Sequence, residues 1–278
     1  MAKPKKVLFI TEEIHPYVPE STISQLGRRI PQMMQERGRE IRTFMPKWGF
    51  INERRCQLHE VIRLSGMNLI IDDTDHLLII KVASIPSARM QVYFIDNDDY
   101  FMKRLTSRDA NGKEYEDNAE RAIFYARGVL ETVKKLRWVP DVIHCQGWIS
   151  TIAPLYIKTV YKEEPCFRDS KVVFTPTSTK LELPTTAQFR ESIVTKNMTG
   201  HELDDFPARL TLADLNRLAL TYSDALMVTP QAHDDALIDY ATQHELPILE
   251  GGDLSKEDAT AYGDFFDKLC GTDMEEED

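Results

Sequence analysis

Three residues that can bind ligands stand where predicted strands end. Glu13 follows the first strand, His144 closes a later strand, and Trp148 begins the helix after it. In a parallel sheet these ends share one edge, where ligands bind. Each residue also has a structural explanation. Glu13 can cap the next element, His144 can be a core histidine at the sheet edge, and Trp148 can simply pack.

The composition narrows the class of protein. The chain has 278 residues, of which 42% are hydrophobic, and its 34 basic and 45 acidic residues give a net charge of −11. This charge opposes broad affinity for nucleic acid or an anionic membrane surface. No apolar run approaches the ~18 residues of a membrane span, and we expect a cytoplasmic protein. The four cysteines are far apart in sequence, which argues against a metal site or a disulfide framework; they are Cys56, Cys145, Cys166 and Cys270.

The elements that would position these residues alternate between strand and helix. Apolar runs predict strands at about 6–11, 41–45, 142–144, 172–175 and 225–229. Helical periodicity predicts helices at about 23–34, 117–136, 148–161, 210–222, 231–243 and 255–270. Between residues 57 and 95, the short runs VIRL, LIIDD, HLLIIKVASI and QVYFID indicate inserted hairpins or edge strands. Residues 177–208 are polar and irregular.

This alternation predicts an α/β fold, a single Rossmann-like, doubly wound and mostly parallel sheet with an inserted β-hairpin region. We expect one domain over residues 1–250, a C-terminal helix over 251–271 and a disordered acidic tail over 272–278.

Three collinear stretches resemble the N-terminal half of bacterial glycogen synthase and plant starch synthase. The segment KVLFITEEIHPYV matches that family's opening strand and its Ser-Glu-x-x-Pro loop. FIDNDDYFMKR and GKEYEDNAERAIFYARGVLE are similar to its Asn-x-x-Tyr-Phe element and its Tyr-x-Asp-Asn-x-x-Arg-Phe helix. PDVIHCQGWISTIAPLYIK is similar to its Pro-Asp-Val-Val-His-x-His-Asp-Trp-His segment. The resemblance implies the N-terminal domain of a GT-B glucosyltransferase that uses ADP-glucose and needs no metal or other cofactor.

On this resemblance, seven residues become candidate sugar or cleft ligands. They are Glu13, Asp117, Asn118, Arg121, His144, Gln146 and Trp148. Asp117 and Asn118 can equally be N-cap residues of a long helix. Arg121 can equally be an ion-pair partner on the helix surface.

The chain departs from the family where the family binds the donor's diphosphate. The family's Lys-Thr-Gly-Gly-Leu loop aligns with Pro19, Glu20, Ser21, Thr22 and Ile23. Proline removes a cation and an N–H group, glutamate adds a negative charge, and the next two residues add Cβ atoms where the backbone must approach. Such a loop should repel a pyrophosphate, so binding of ADP-glucose is doubtful.

The third motif departs as well. Gln146 and Ile149 stand at histidine positions of the family, and Gly147 replaces its aspartate. The resemblance therefore implies a glycogen-synthase-like protein reduced to the N-terminal domain, without stand-alone transferase activity, that binds a glucan or maltooligosaccharide. One alternative is half of a split synthase completed by a partner chain. Another is a non-enzymatic module that uses the cleft face to self-associate or to bind another protein.

Overall fold

The computed structural model describes residues 5–252 and 260–269. The predicted tail at 272–278, and the parts of the predicted segment 251–271 at 253–259 and 270–271, lie outside the described residues. The strands are β1 (Lys6–Ile10), β2 (Glu40–Pro46), β3 (His59–Glu60), β4 (Met67–Ile71), β5 (Thr74–Ile85), β6 (Met90–Asp96), β7 (Val142–Gln146), β8 (Lys171–Thr175), β9 (Ala225–Val228) and β10 (Ile248–Glu250). The helices are α1 (Thr22–Glu36), α2 (Asn118–Leu136), α3 (Ala153–Lys158), α4 (Phe189–Ile193), α5 (Leu212–Thr221), α6 (Asp235–Gln243) and α7 (Thr260–Leu269).

The strands form a mixed sheet in the order β10-β9-β8-β7-β1-β2-β6-β5-β3. Every pair from β10 to β6 is parallel, whereas β5 runs antiparallel to β6, β3 and β4. Strands β3 to β5 lie in the region 57–95, where inserted hairpins or edge strands were predicted, but the run QVYFID of that region is β6, which lies inside the sheet and pairs in parallel with β2. The predicted α/β class with a mostly parallel sheet is confirmed.

Helices cover both faces of the sheet, as a doubly wound fold requires. In β1, Val7 and Phe9 belong to one apolar cluster, which also contains residues of α1 and α7. Leu8 and Ile10 belong to the other cluster, together with residues of α2, α3 and α5. Because alternate residues of a strand point to opposite faces, β1 is buried on both sides, which explains its uninterrupted apolar sequence.

Two sequence-based predictions about elements were wrong. The run Val61–Leu64 is not a strand, because the N–H of Leu64 bonds the carbonyl of Val61 and closes a turn. The helix predicted at 148–161 is a single 3₁₀ turn at 148–150 followed by the short α3, which has Pro154 in its first turn. Two elements were not predicted at all: α4, which lies in the polar stretch 177–208, and β10.

Gly27 allows α1 to pack closely against the loop after β1. A Cβ atom on Gly27 would lie 2.0 Å from the backbone oxygen of Glu13. We expect Gly27→Ala to lower the free energy of unfolding by about 2 kcal/mol, because backbone cannot move aside as a side chain can. Chemical denaturation measures this loss.

Gly128→Ala in α2 is the matched control for Gly27→Ala. A Cβ atom on Gly128 would meet only side-chain atoms, the nearest at 3.0 Å from Leu78. Alanine also favours a helix by about 1 kcal/mol over glycine. We expect Gly128→Ala to be close to neutral, and equal losses from both variants would contradict the proposed close packing at Gly27.

Candidate functional site

The strand order reverses between β1 and β7. The chain passes from β1 to β2 on one side, and β7 lies on the other side of β1. In open α/β sheets the crevice at such a switch point is the usual ligand site. Glu12 and Glu13 follow β1 at this crevice. Gln146 ends β7, and Gly147 and Trp148 form the turn after it.

Glu12 fills the crevice at the switch point. Its side chain is buried, and its two carboxyl oxygens accept hydrogen bonds from Thr177 Oγ1 at 2.8 Å and Thr179 Oγ1 at 2.5 Å. Burial, helped by the neighbouring charge of Glu13, raises the pKa of Glu12 to about 7 against the effect of these hydrogen bonds. The crevice therefore holds a buried carboxyl group that gives up its proton less readily than an exposed glutamate.

Because Gly147 has no side chain, the side chain of Glu12 can occupy the space beside it. Its backbone has φ +84° and ψ 173°, a conformation that is essentially restricted to glycine. A Cβ atom at this position would lie 2.1 Å from Glu12 Oε2. The glycine at 147 and the glutamate at 12 thus depend on each other sterically.

A polar segment, residues 176–186, is tied to this edge of the sheet by acidic side chains. Besides the two threonine contacts to Glu12, Glu114 accepts from the backbone N–H groups of Glu182 at 2.8 Å and Leu183 at 3.1 Å. Thr186 Oγ1 donates to Glu120. We call residues 176–186 the covering segment.

The loop aligned with the family's phosphate loop is used to begin α1. Ser21 Oγ accepts from the N–H of Ser24 at 3.0 Å, and Ser24 Oγ accepts from the N–H of Ser21 at 2.9 Å, which is a capping box. Ser21 Oγ also donates to Glu13 Oε2 at 3.1 Å, and Glu20 accepts from Gln25 at 2.6 Å. Burial raises the pKa of Glu13. Two carboxylates therefore flank the first turn of α1.

Asp117 stands at the N-cap position of α2, but its side chain does not cap the helix. Its two carboxyl oxygens bind the guanidinium of Arg104 instead, with Arg104 Nη1 at 2.7 Å from Oδ2. The expectation that Asp117 acts as an N-cap is therefore met in position only, because a cation at the same end of the helix binds the carboxylate.

Arg121 is fully buried and binds the protein itself. It has 0% exposure and donates to Asn118 Oδ1 at 2.9 Å, while the Asn118 amide donates to the carbonyl of Ser107 at 3.0 Å. The other acceptors of Arg121 are the carbonyls of Tyr100, Leu105 and Thr106. Its guanidinium also lies 5.0 to 5.8 Å from the ring centroids of Trp48, Phe101, Tyr115 and Trp148. Burial is the main cause that lowers the pKa of Arg121 to about 9. The alternative of an ion pair on the helix surface is wrong, because the loop over residues 100–106 covers the side chain.

Three candidate ligand-binding residues at the end of β7 or just after it are almost completely buried, namely His144, Gln146 and Trp148. Burial lowers the pKa of His144 to about 3, so the ring is neutral, and Nε2 pairs with Thr175 Oγ1 at 2.8 Å. Gln146 Nε2 donates to the carbonyl of Ile23 at 3.0 Å. Within the described residues, no hydrogen-bond partner is present for His144 Nδ1, Gln146 Oε1 or Trp148 Nε1.

The structure divides the candidates into separate groups. Asn118, Arg121 and Trp148 come together around the buried guanidinium. Glu13 and Gln146 each contact the first turn of α1 or its cap, and His144 faces Phe9 and Phe266.

Sequence reasoning missed Glu12 together with its partners Thr177 and Thr179. One signal was available, since the family's aspartate is absent at Gly147 while the switch-point strand ends in two glutamates. In the part of the chain that the structure describes, no group of three or more possible metal ligands is close enough to hold an ion.

Comparison with known proteins gives the family. The family profile described as starch synthase catalytic domain matches residues 6–241. The chain belongs to this family. A protein named glycogen synthase from Chlorobium limicola is 41% identical over 171 residues, which is 61% of this chain and 35% of that protein. One of the same name from Pelodictyon phaeoclathratiforme is 40% identical over 171 residues, with the same coverage.

The same family appears among solved structures. The catalytic domain of Starch Synthase IV from Arabidopsis thaliana, bound to ADP and acarbose, aligns with a TM-score of 0.71. The alignment covers 91% of this chain and 53% of that chain at 15% identity, which supports the GT-B type of fold. The matched region spans about a third of the length of the glycogen synthases. None of the described helices is both long and apolar enough to cross a membrane.

Proposed function

We propose that this member of the starch synthase catalytic domain family provides a glucan-facing part of a glucosyltransferase cleft and does not bind the donor's diphosphate at residues 19–22. The observation that carries the proposal is the pair of carboxylates, Glu13 and Glu20, beside the first turn of α1. A diphosphate needs cations and free N–H groups at such a helix start. Pro19 supplies neither.

The hydrogen bonds of this turn support the proposal. The N–H of Ser24 is used by Ser21 Oγ, and the N–H of Gln25 is used by the Ser21 carbonyl. Glu12 adds a third carboxyl group in the neighbouring crevice. An anionic ligand would therefore meet negative charge where the strand order reverses.

The first test is calorimetric titration of the protein with ADP-glucose and, separately, with maltooligosaccharides. We expect the glucans to release or absorb heat on binding. Any heat from ADP-glucose should not change when residues 19–22 are substituted. Micromolar donor binding, worth about −8 kcal/mol, that Glu20→Lys strengthens would contradict the proposal, because it would place the diphosphate at this loop. Glucose is the control for binding of a single sugar.

A second candidate is that a partner chain, or a second copy, covers the carboxyl edge of the sheet. Two large apolar side chains on this side are exposed, Met102 at 45% after β6 and Leu183 at 42% in the covering segment. Such side chains are enriched in interfaces. In this second candidate function the chain is half of a split synthase or a protein-binding module. Light scattering measures the molar mass of the protein and of the Leu183→Ser variant, and so distinguishes an interface through this edge from a monomer.

A further inference from the structure

An open groove of about 740 Å³ is lined in part by the loop that follows Glu13. It runs between α1, the loop at residues 15–19, the segment at residues 50–57 and the end of β5 with the turn after it. Neither Glu12 nor Gly147 lines it, nor does any residue of the covering segment. Of residues 19–22, which align with the family's phosphate loop, only Pro19 lines it.

The charged side chains that line this groove, among the described residues, are all positive. They are Arg28 from α1 and Arg55 from the segment at 50–57, with His15 beside them. The one acid of that segment, Glu53, is bound by Lys81 at 2.6 Å and Lys47 at 3.2 Å and does not line the groove. Two guanidiniums and no lining carboxylate give this groove a local positive charge in a chain whose net charge is −11.

Neither arginine is neutralised by the protein. Arg28 is half-buried, and its Nη2 donates to Ser87 Oγ at 3.1 Å, which holds the guanidinium at the groove wall. Within the described chain, no carboxylate pairs with Arg28 or with the exposed Arg55. A guanidinium presents several N–H groups in a plane, which suits the oxygens of a phosphoryl group.

The rest of the groove fits a ring attached to that anion. The ring of Phe50 is 40% exposed and lines the groove. Asn52, Gln57 and Ser84 add hydrogen-bonding side chains. The Tyr17 hydroxyl in the groove wall is buried and has no hydrogen-bond partner within the described chain.

We propose that this groove binds a small phosphorylated ligand, either a sugar phosphate or a nucleotide, with its phosphoryl group at Arg28 and Arg55 and its ring on Phe50. A neutral glucan would leave both guanidiniums without a counter-charge. The volume accommodates a ligand of one phosphate and one or two rings, since small-molecule sites typically span about 300 to 1,000 Å³.

The test is titration of the whole protein with glucose 6-phosphate and with AMP, with glucose and adenosine as uncharged controls. We expect saturable binding of at least one phosphorylated probe and none of the controls. Arg28→Ala and Arg55→Ala should each weaken binding about tenfold. Arg54→Ala removes the same charge from the neighbouring exposed residue, which does not line the groove, and should leave the affinity unchanged.

A variant at Phe50 distinguishes the two possible ligands, a sugar phosphate and a nucleotide. Phe50→Ala should weaken AMP more than glucose 6-phosphate if a base stacks on the ring, and both about equally if a sugar does. Absence of saturable binding of either probe would overturn the proposal, as would equal effects of Arg54→Ala and Arg55→Ala. Unchanged thermal unfolding of the variants shows that they fold. The ADP-glucose titration is repeated with the double variant Arg28→Ala/Arg55→Ala. Binding that this variant loses takes place in the groove, whereas binding that it keeps takes place at the crevice.

Discussion

Gly147→Ala should lower the free energy of unfolding by about 4 kcal/mol. About half of this loss comes from forcing a side chain into the backbone conformation at φ +84°. The remainder comes from the Cβ atom, which would lie 2.1 Å from Glu12 Oε2 and would force the buried carboxyl away from Thr177 and Thr179. Urea denaturation followed by circular dichroism measures the loss.

Gly200→Ala is the matched control for this prediction. Gly200 has the same φ of +84°, but no atom lies within 4 Å of the added Cβ. Gly200→Ala therefore measures the loss from a side chain at the same positive φ without a steric conflict, and a Glu12→Ser background isolates the conflict itself. In a Glu12→Ser background the extra loss at position 147 should shrink, because the shorter side chain leaves room. If Gly147→Ala were no worse than Gly200→Ala, the steric dependence between positions 12 and 147 would be wrong.

Glu12→Gln should become progressively more stable than the unchanged protein as the pH rises. The pKa of Glu12 is raised from 4.5 to about 7 in the folded chain, mainly by burial. Between these values the unfolded chain ionises and the folded chain does not, so ionisation favours unfolding as pH increases. The difference should grow by about 2 to 3 kcal/mol between pH 5 and pH 8. Denaturation curves of both proteins across this pH range measure it.

The comparison of the two proteins removes the contribution of other groups. His144, whose pKa burial lowers to about 3, acts in the opposite sense, since the unfolded chain takes up a proton below about pH 6.5 and the folded chain does not. His144 is present in both proteins and cancels in the difference. A glutamine side chain has nearly the same shape, so Glu12→Gln should preserve the covering segment. Parallel pH curves for the two proteins would show that Glu12 ionises as freely in the fold as outside it.

The central strands and the main helices could be predicted from sequence because their patterns are local. The four residues of β1 after Lys6 are apolar since both faces of the strand are buried. The apolar periodicity of α1 ends at Gly38, which has φ +77° just beyond the helix. The alternation of such elements was enough to predict the fold class.

The inner arrangement of the site could not be predicted, because its partners are distant in sequence. Glu12 is paired with Thr177, 165 residues away. Nothing near an acidic residue in the sequence indicates that it is buried, since charged side chains are seldom buried without partners. The burial of Arg121 could not be predicted for the same reason, because its acceptors are backbone carbonyls of a loop without a periodic pattern.

The strand order also determines when the protein can fold during synthesis. β1 pairs with β2 on one side, but its other side pairs with β7, in the register Val7 to Val142. One side of this strongly apolar strand therefore stays open until the chain has been made at least as far as Gln146. An unpaired apolar strand is a template for pairing with other chains. We expect slow folding dominated by distant contacts, and a need for chaperones that shield β1 from the early stages of translation.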